Sequence, residues 1–161
     1  MILALAFILL GAGKTVAILN PVTVLSRQSD LPALNWIKSN LPVNETIAIN
    51  PFLWGYGIYA GSDGGYWILP ITGHPTMPPP VLYGFSSAEV VNQINQVCSQ
   101  IIAQGKNASG LWAVLRQNNI RYVYLGGRGG VISPQSLQGS TQFRQLYHEN
   151  GAWLFEVLPI P

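Results

Sequence analysis

The chain has 161 residues, a length that suits one domain with its own hydrophobic core. Only 9% of the residues are charged, against about 25% in ordinary soluble domains, and 48% are hydrophobic, which indicates a membrane-associated or exported protein. The net charge of +2 comes from basic residues that are scattered along the sequence, and such scatter gives no support to nucleic-acid binding. The single cysteine, Cys98, excludes an intrachain disulfide framework and a thiolate zinc site.

Residues 1–25 are the most apolar part of the chain, and Lys14 is their one charged residue. Residues 1–19 are long enough to cross a bilayer if Lys14 extends to an interface, because a spanning helix needs about 20 apolar residues. Asn20-Pro21 then ends the helix. We therefore expect residues 1–25 to be a transmembrane helix or its end, plus a linker, in a longer polytopic protein. A buried core helix is the alternative.

The same segment contains Gly13-Lys14-Thr15, which looks like the end of a nucleotide-binding loop. Such a loop also needs a glycine five positions before Gly13, where this chain has Ile8. A β-branched residue does not readily adopt the backbone conformation required there. The sequence therefore favours a membrane anchor over a phosphate-binding loop.

Three local patterns follow between residues 26 and 80. Ser29-Asp30 can cap a helix that has Pro32 in its first turn and apolar residues at helical spacing. "TIAIN", residues 46–50, predicts a short buried strand. Residues 51–80 are rich in glycine, proline and aromatics without a clean period, which predicts a long ordered loop.

The clearest helix pattern begins at Ser86, which with Glu89 matches a capping box. Apolar residues then recur on one helical face up to Gly105. Cys98 flanks this stripe, so we expect a buried small hydrophobic residue rather than a nucleophile.

The last part of the chain predicts a helix followed by strands. Ser109 can cap the helix, and "RYVYL" predicts the next strand. "FRQLYHE" and "AWLFEVL" flank Asn150-Gly151, a pair typical of a type I′ hairpin turn. Together the patterns predict an α/β domain over residues 26–161: a small sheet packed by about three helices, with a C-terminal β-hairpin.

Two glycine-containing segments are candidates for chemistry. "GGRGG", residues 126–130, could bring backbone N–H groups and Arg128 to an anion, although a solvated turn after a strand is favoured. The richer segment is "WGYGIYAGSDGGYWILPITGHP", whose aromatics could bind a sugar or peptide while Asp63 accepts a hydrogen bond. The candidate substrate-binding residues are Trp54, Tyr56, Asp63, Tyr66, Trp67, His74 and Arg128.

A structural role is the alternative for the same residues. Asp63 could cap a turn with its side chain while the aromatics form core, and His74 has no neighbouring base, acid or metal ligand in the sequence. Asp63 also lacks a second acid close by, so a paired-acid glycosidase is unsupported. We assign no catalytic residue, metal ligand or cofactor to this chain.

The order of motifs resembles the region that follows the last membrane helices of polytopic GT-C-type glycosyltransferases. The stretches that carry this resemblance are "LPALNWIKSNLP", "SDGGYWI" and "LRQNNIRYVYLGG", and it spans nearly the whole chain. "DGGYWI" and "WGYG" are also similar to the WWDYG-type signature of oligosaccharyltransferase catalytic subunits, which helps to recognise the acceptor peptide. This chain lacks the tryptophan pair before Asp63, so only general architecture carries over.

The resemblance implies a C-terminal domain on the extracytoplasmic side of a membrane, attached to an upstream transmembrane region of the same protein. It implies a polyprenyl-phosphate sugar donor and an acceptor as partners. It places the catalytic acids, and a divalent metal in the full-length protein, upstream of this chain. The alternative from another class is a non-catalytic, membrane-tethered binding or assembly module, since aromatics are enriched and charges depleted at interfaces.

Overall fold

A computed structural model describes residues 24–159. The predicted transmembrane helix therefore lies outside the described residues, apart from Val24 and Leu25 at the end of its linker. Within the described part of the chain, no helix is both long enough and apolar enough to cross a bilayer. The architecture is α/β, as predicted, with one mixed five-stranded sheet and one separate two-stranded hairpin.

The described residues contain five α-helices, seven strands and three 3₁₀ turns. The helices are α1 (Leu31–Asn40), α2 (Ile68–Thr72), α3 (Ala88–Gln104), α4 (Ala108–Gln117) and α5 (Pro134–Gln138). The strands are β1 (Ile47–Ala48), β2 (Pro51–Gly55), β3 (Ile58–Gly61), β4 (Thr76–Met77), β5 (Tyr122–Leu125), β6 (Phe143–Glu149) and β7 (Ala152–Val157). The 3₁₀ turns are Gln28–Asp30, Gly64–Trp67 and Val81–Phe85.

The five-stranded sheet has the order β4-β1-β5-β7-β6. Strands β4, β1 and β5 are parallel, whereas β7 is antiparallel to both β5 and β6. Successive side chains of a strand point to opposite faces, and β5 shows this directly. Its tyrosines, Tyr122 and Tyr124, pack with α1, whereas Val123 and Leu125 pack with α3 and α4. At β5 the sheet is therefore buried on both faces.

The predicted helices α3 and α4 are confirmed, but their caps differ from the prediction. Ser86 closes the preceding 3₁₀ turn by donating its N–H to the Tyr83 carbonyl, so Ser87 becomes the cap of α3. Helix α4 begins before Ser109, because Asn107 accepts the N–H of Gly110 at 3.2 Å. Both errors are small shifts that depend on where the preceding segment ends.

The prediction of a long loop over residues 51–80 was wrong in part. This segment contains the hairpin β2–β3, a 3₁₀ turn, helix α2 and strand β4. The hairpin is held from outside: Tyr83 Oη accepts the N–H of Tyr59 at 2.6 Å, and Asn95 Nδ2 donates to the Gly57 carbonyl at 2.6 Å. Because residues far along the chain hold the hairpin, its own sequence shows no periodic pattern that would predict two strands. The predicted strand over residues 46–50 is also shorter, since β1 has two residues.

Two other predictions are confirmed. The C-terminal strands form a hairpin, and Asn150 and Gly151 have φ values of 52° and 81°, as the positive φ angles of a type I′ turn require. Cys98 is fully buried in α3. Burial raises the pKa of its thiol to about 12, so the thiolate that a nucleophile needs is scarce at neutral pH.

Truncating Ile101 should destabilise the domain strongly, because this side chain is fully buried between α3 and the sheet. We expect Ile101→Ala to lower the free energy of unfolding by about 2–5 kcal/mol. The neighbouring Ile102 is 36% exposed and provides a matched control, for which we expect a clearly smaller loss. Denaturant unfolding of both variants measures the difference, and equal losses would contradict the described position of α3.

Candidate functional site

The most polar part of the interior is built around Asp63, which is fully buried. Its Oδ1 atom caps the 3₁₀ turn Gly64–Trp67 by accepting the N–H of Gly65 at 3.0 Å. Its Oδ2 atom accepts the Asn50 side-chain amide at 2.7 Å and the Gly126 N–H at 2.8 Å. The carboxyl group therefore joins three separate segments of the chain.

A second buried carboxyl group, that of Asp30, lies beside the first. We predicted that Asp30 could cap α1, but its side chain does not bond to that helix. Its Oδ2 atom accepts the N–H of Arg27 at 2.7 Å. Its Oδ1 atom accepts the N–H of Gly127 at 2.8 Å and the hydroxyl of Tyr124 at 3.1 Å. The side chain is held by these partners and is not available to the helix terminus.

The glycine segment 126–130 donates the backbone groups that hold these carboxyl groups. Gly126 is buried, so the favoured prediction of a solvated turn was wrong at the start of this segment. A Cβ atom at Gly126 would lie 2.9 Å from the Gly64 nitrogen, and this close approach requires glycine. The anions that its N–H groups approach are the protein's own aspartates. We call Asp30, Asn50, Asp63, Tyr124 and the N–H groups of Gly126 and Gly127 the carboxylate network.

Burial governs the electrostatics of this network. Desolvation raises the pKa of Asp63 from 3.8 to about 6, although three hydrogen bonds lower it. The negative charge of Asp30 adds a smaller upward shift of the pKa. Asp63 thus titrates close to neutral pH while it is enclosed by protein. A change in its charge therefore changes its hydrogen bonds to Asn50, Gly65 and Gly126.

The other predicted site residues do not gather around Asp63. Trp54 and Tyr56 lie on the β2–β3 hairpin, where they are 55% and 102% exposed. Trp67, at the end of the 3₁₀ turn, is 47% exposed, and its neighbour Tyr66 is half-buried. The structure therefore presents two separate aromatic surfaces.

His74 and Arg128 occupy two further places. His74 is fully buried, with Nδ1 2.9 Å from the Thr72 hydroxyl and Nε2 3.3 Å from the Leu41 carbonyl oxygen. The Arg128 guanidinium donates a hydrogen bond to the carbonyl oxygen of Ser62, the residue before Asp63. The substrate-binding role of all seven candidates stays a prediction. Among residues 24–159, no group of three or more histidine, cysteine or acidic residues is arranged to hold a metal ion.

Two surface grooves were not predicted from the sequence, because their walls come from distant segments without a shared motif. The first, which we call the entry groove, has a volume of about 570 Å³ and is lined by Val24, Leu25, Ser26, Leu31, Tyr66, Trp67 and Ile71. The second, of about 1070 Å³, lies between α4, α5 and the end of β7, and its lining includes Lys106, Ser109, Trp112, Thr141, Gln142 and Leu158. The aromatic pair Tyr66-Trp67 is the one feature of the entry groove that the sequence singled out, as candidate substrate-binding residues.

Comparisons with known proteins give a similar solved structure but no matching family. No protein-family model matches this chain, and no curated protein does. Among solved structures, the chain is similar to the C-terminal globular domain of an oligosaccharyltransferase from Archaeoglobus fulgidus. The identity is 16%, the match covers 82% of this chain and 98% of that one, and the TM-score is 0.47.

Asp63 should titrate near pH 6. Because its native pKa lies above the ordinary 3.8, the native state keeps a proton in this interval that the unfolded chain has lost. The contribution of Asp63 to the free energy of unfolding is therefore greatest below pH 3.8 and is lost as the pH rises through about 6. Carbon NMR of the carboxyl group measures the midpoint, and Asp63→Asn should remove this part of the pH dependence of stability. A midpoint near 3.8 would contradict the described burial.

Removing the Tyr124 hydroxyl should weaken the network. Tyr124→Phe deletes the donor to Asp30, and we expect a loss of about 1.5–3 kcal/mol in the free energy of unfolding, as for hydrogen bonds to charged groups. Tyr122→Phe in the same strand is the control, because the described residues provide no hydrogen bond to its hydroxyl. Thermal or denaturant unfolding compares the two variants. Similar losses would show that the Tyr124–Asp30 bond contributes little.

Proposed function

We propose that this chain is the C-terminal extracytoplasmic domain of a GT-C-type, membrane glycosyltransferase-like protein. In this proposal it assists recognition of the acceptor or of the polyprenyl-phosphate-linked sugar donor, while the catalytic acids lie upstream. The observation that supports it most is that the carboxylate network joins two of the stretches that carry the sequence resemblance and directly adjoins the start of the other. Asp30 directly precedes "LPALNWIKSNLP", Asp63 lies in "SDGGYWI", and Gly126 ends "LRQNNIRYVYLGG" with Gly127.

This convergence favours a shared architecture over a chance likeness of short motifs. The stretches "SDGGYWI" and "LRQNNIRYVYLGG" supply hydrogen-bond donors to the two carboxyl groups, and "LPALNWIKSNLP" begins at the residue after Asp30. A substitution at Asp63 or Gly126 therefore affects both "SDGGYWI" and "LRQNNIRYVYLGG" through a buried hydrogen bond. The resembling residues form one structural unit that positions the segment from Ser62 to Trp67.

The exposed aromatics are the side chains that a substrate can reach. Trp54 and Tyr56 project from the hairpin, and Trp67 ends the turn that Asp63 caps. Aromatic rings suit sugar rings and peptide side chains because they offer large apolar faces at low entropic cost. In this proposal Asp63 is a positioning residue, since its own carboxyl oxygens are occupied by protein donors.

The hairpin aromatics provide the test of this function. In the full-length protein, Trp54→Ala and Tyr56→Ala should each raise the KM for the acceptor or donor about two- to tenfold, the equivalent of one aromatic contact. Their unfolding midpoints should stay at the wild-type value because both side chains are exposed. A transfer assay with separately varied donor and acceptor concentrations measures the effect.

An exposed apolar residue outside the hairpin is the control. Val43 is 55% exposed in the turn after α1, and Val43→Ala should leave transfer unchanged. Unchanged KM values for both hairpin variants would remove the hairpin from recognition. An absence of glycosyl transfer by the full-length protein would reject the proposed function itself.

A binding or assembly module is the second candidate, and one surface favours it. Leu53 and Trp54 on β2, together with Leu82 and Phe85 on the supporting 3₁₀ turn, are all exposed apolar side chains. Exposed apolar side chains on neighbouring elements are typical of an interaction surface. Titration of the chain with oligosaccharides and peptides, followed by tryptophan fluorescence, separates the two candidates. Saturable binding that Trp54→Ala abolishes supports a role in substrate recognition. A chain that binds neither oligosaccharide nor peptide supports the binding or assembly module.

A further inference from the structure

The entry groove is an apolar surface at the point where the described chain begins. Its lining consists of aliphatic and aromatic side chains plus Ser26, and no described charged side chain contributes to it. Val24, Leu31 and Trp67 are each about half exposed. Apolar patches that face water are uncommon on soluble proteins, and where they occur they often mark an interaction site.

The carboxylate network holds both walls of this groove. Leu31 directly follows Asp30, whose carboxyl group is bound by the Gly127 N–H and the Tyr124 hydroxyl. Trp67 ends the 3₁₀ turn that Asp63 caps. Because buried hydrogen bonds fix both elements, the groove is formed before any partner arrives.

The short segment between the predicted membrane helix and the groove limits how far the groove can lie from the bilayer. The apolar stretch 1–19 ends five residue steps before Val24, and five steps span no more than about 18 Å even when fully extended. The polar interface on each side of a bilayer is itself about 5–8 Å thick. If residues 1–19 span the membrane, the groove is held within reach of the lipid headgroups.

We propose that the entry groove docks on the lipid surface, with Trp67 in the headgroup region of the bilayer. This inference rests on the proposed function, because it requires the membrane tether. Tryptophan and tyrosine are the residues enriched at membrane interfaces, and Tyr66 and Trp67 form one wall. The uncharged lining indicates insertion by apolar contact, without a requirement for anionic lipid. Tethering keeps the local concentration of lipid surface high, so weak contacts suffice.

Quenching by brominated lipid tests the position of Trp67. The chain of residues 1–161 is reconstituted into phosphatidylcholine vesicles with or without brominated acyl chains, and tryptophan fluorescence is compared. We expect quenching in wild type, loss of most of it in Trp67→Phe, and full retention in Trp54→Phe. Trp54 is a matched control because it is similarly exposed, at 55% against 47%, but lies on the hairpin outside the groove.

A second reporter tests whether Trp67→Phe removes only the tryptophan and leaves the groove in place. Leu31 forms the opposite wall and is 44% exposed, so Leu31→Trp in the Trp67→Phe background should restore quenching. Wild-type quenching in Trp67→Phe, or equal losses in Trp67→Phe and Trp54→Phe, would overturn the proposal. Shielding of Trp67 from both brominated lipid and aqueous acrylamide would also overturn it, since the groove would then be covered by protein.

Vesicle flotation separates this inference from the proposed function. A chain that floats with vesicles but shows no quenching at Trp67 or at Leu31→Trp leaves the tether intact and rejects the docking surface alone. A chain that does not float rejects the tether, and with it both proposals. Quenching in a full-length protein that transfers no sugar would support the docking surface while rejecting the transferase function.

Discussion

Two aspartate carboxyl groups buried side by side are the constraint on which the rest of the domain depends. Burial of a carboxyl group is costly unless its oxygens are hydrogen-bonded, and here backbone N–H groups supply most of the donors. Asp30 links the start of α1 to the segment after β5, and Asp63 links that segment to the turn after β3. Asn50 extends the connection by donating to Asp63 and accepting the N–H of Ile132.

The residues that the two proposals depend on fall into two groups with different roles. Asp63 and Asp30 are enclosed, and their effect on the surface is indirect, through the elements that they hold. The aromatics Trp54, Tyr56 and Trp67 are exposed, and they form the surfaces that a sugar, a peptide or a lipid can contact. The low overall charge of the sequence is consistent with this division, because the surfaces around these aromatics are apolar rather than ionic.

Prediction from sequence succeeded where the signal is local. Helix α3 follows from its apolar period, and the β6–β7 hairpin follows from Asn150-Gly151, because both patterns depend on neighbours within a few residues. The caps at Ser87 and Asn107 were displaced, since they depend on where the preceding segment ends. The β2–β3 hairpin was missed because bonds from Tyr83 and Asn95 hold it from elsewhere in the fold.

The sequence by itself determined the α/β class, the C-terminal hairpin and the low-charge, aromatic character of the chain, and it left Asp63 as either a substrate-binding residue or a turn cap. Only the tertiary structure decided that Asp63 faces inward, that Asp30 is its companion rather than a helix cap, and that the glycines at 126 and 127 bind these internal anions. The physical reason is that a carboxyl group takes its donors from whatever backbone the fold brings within hydrogen-bond distance. Here those donors come from segments far apart in the chain.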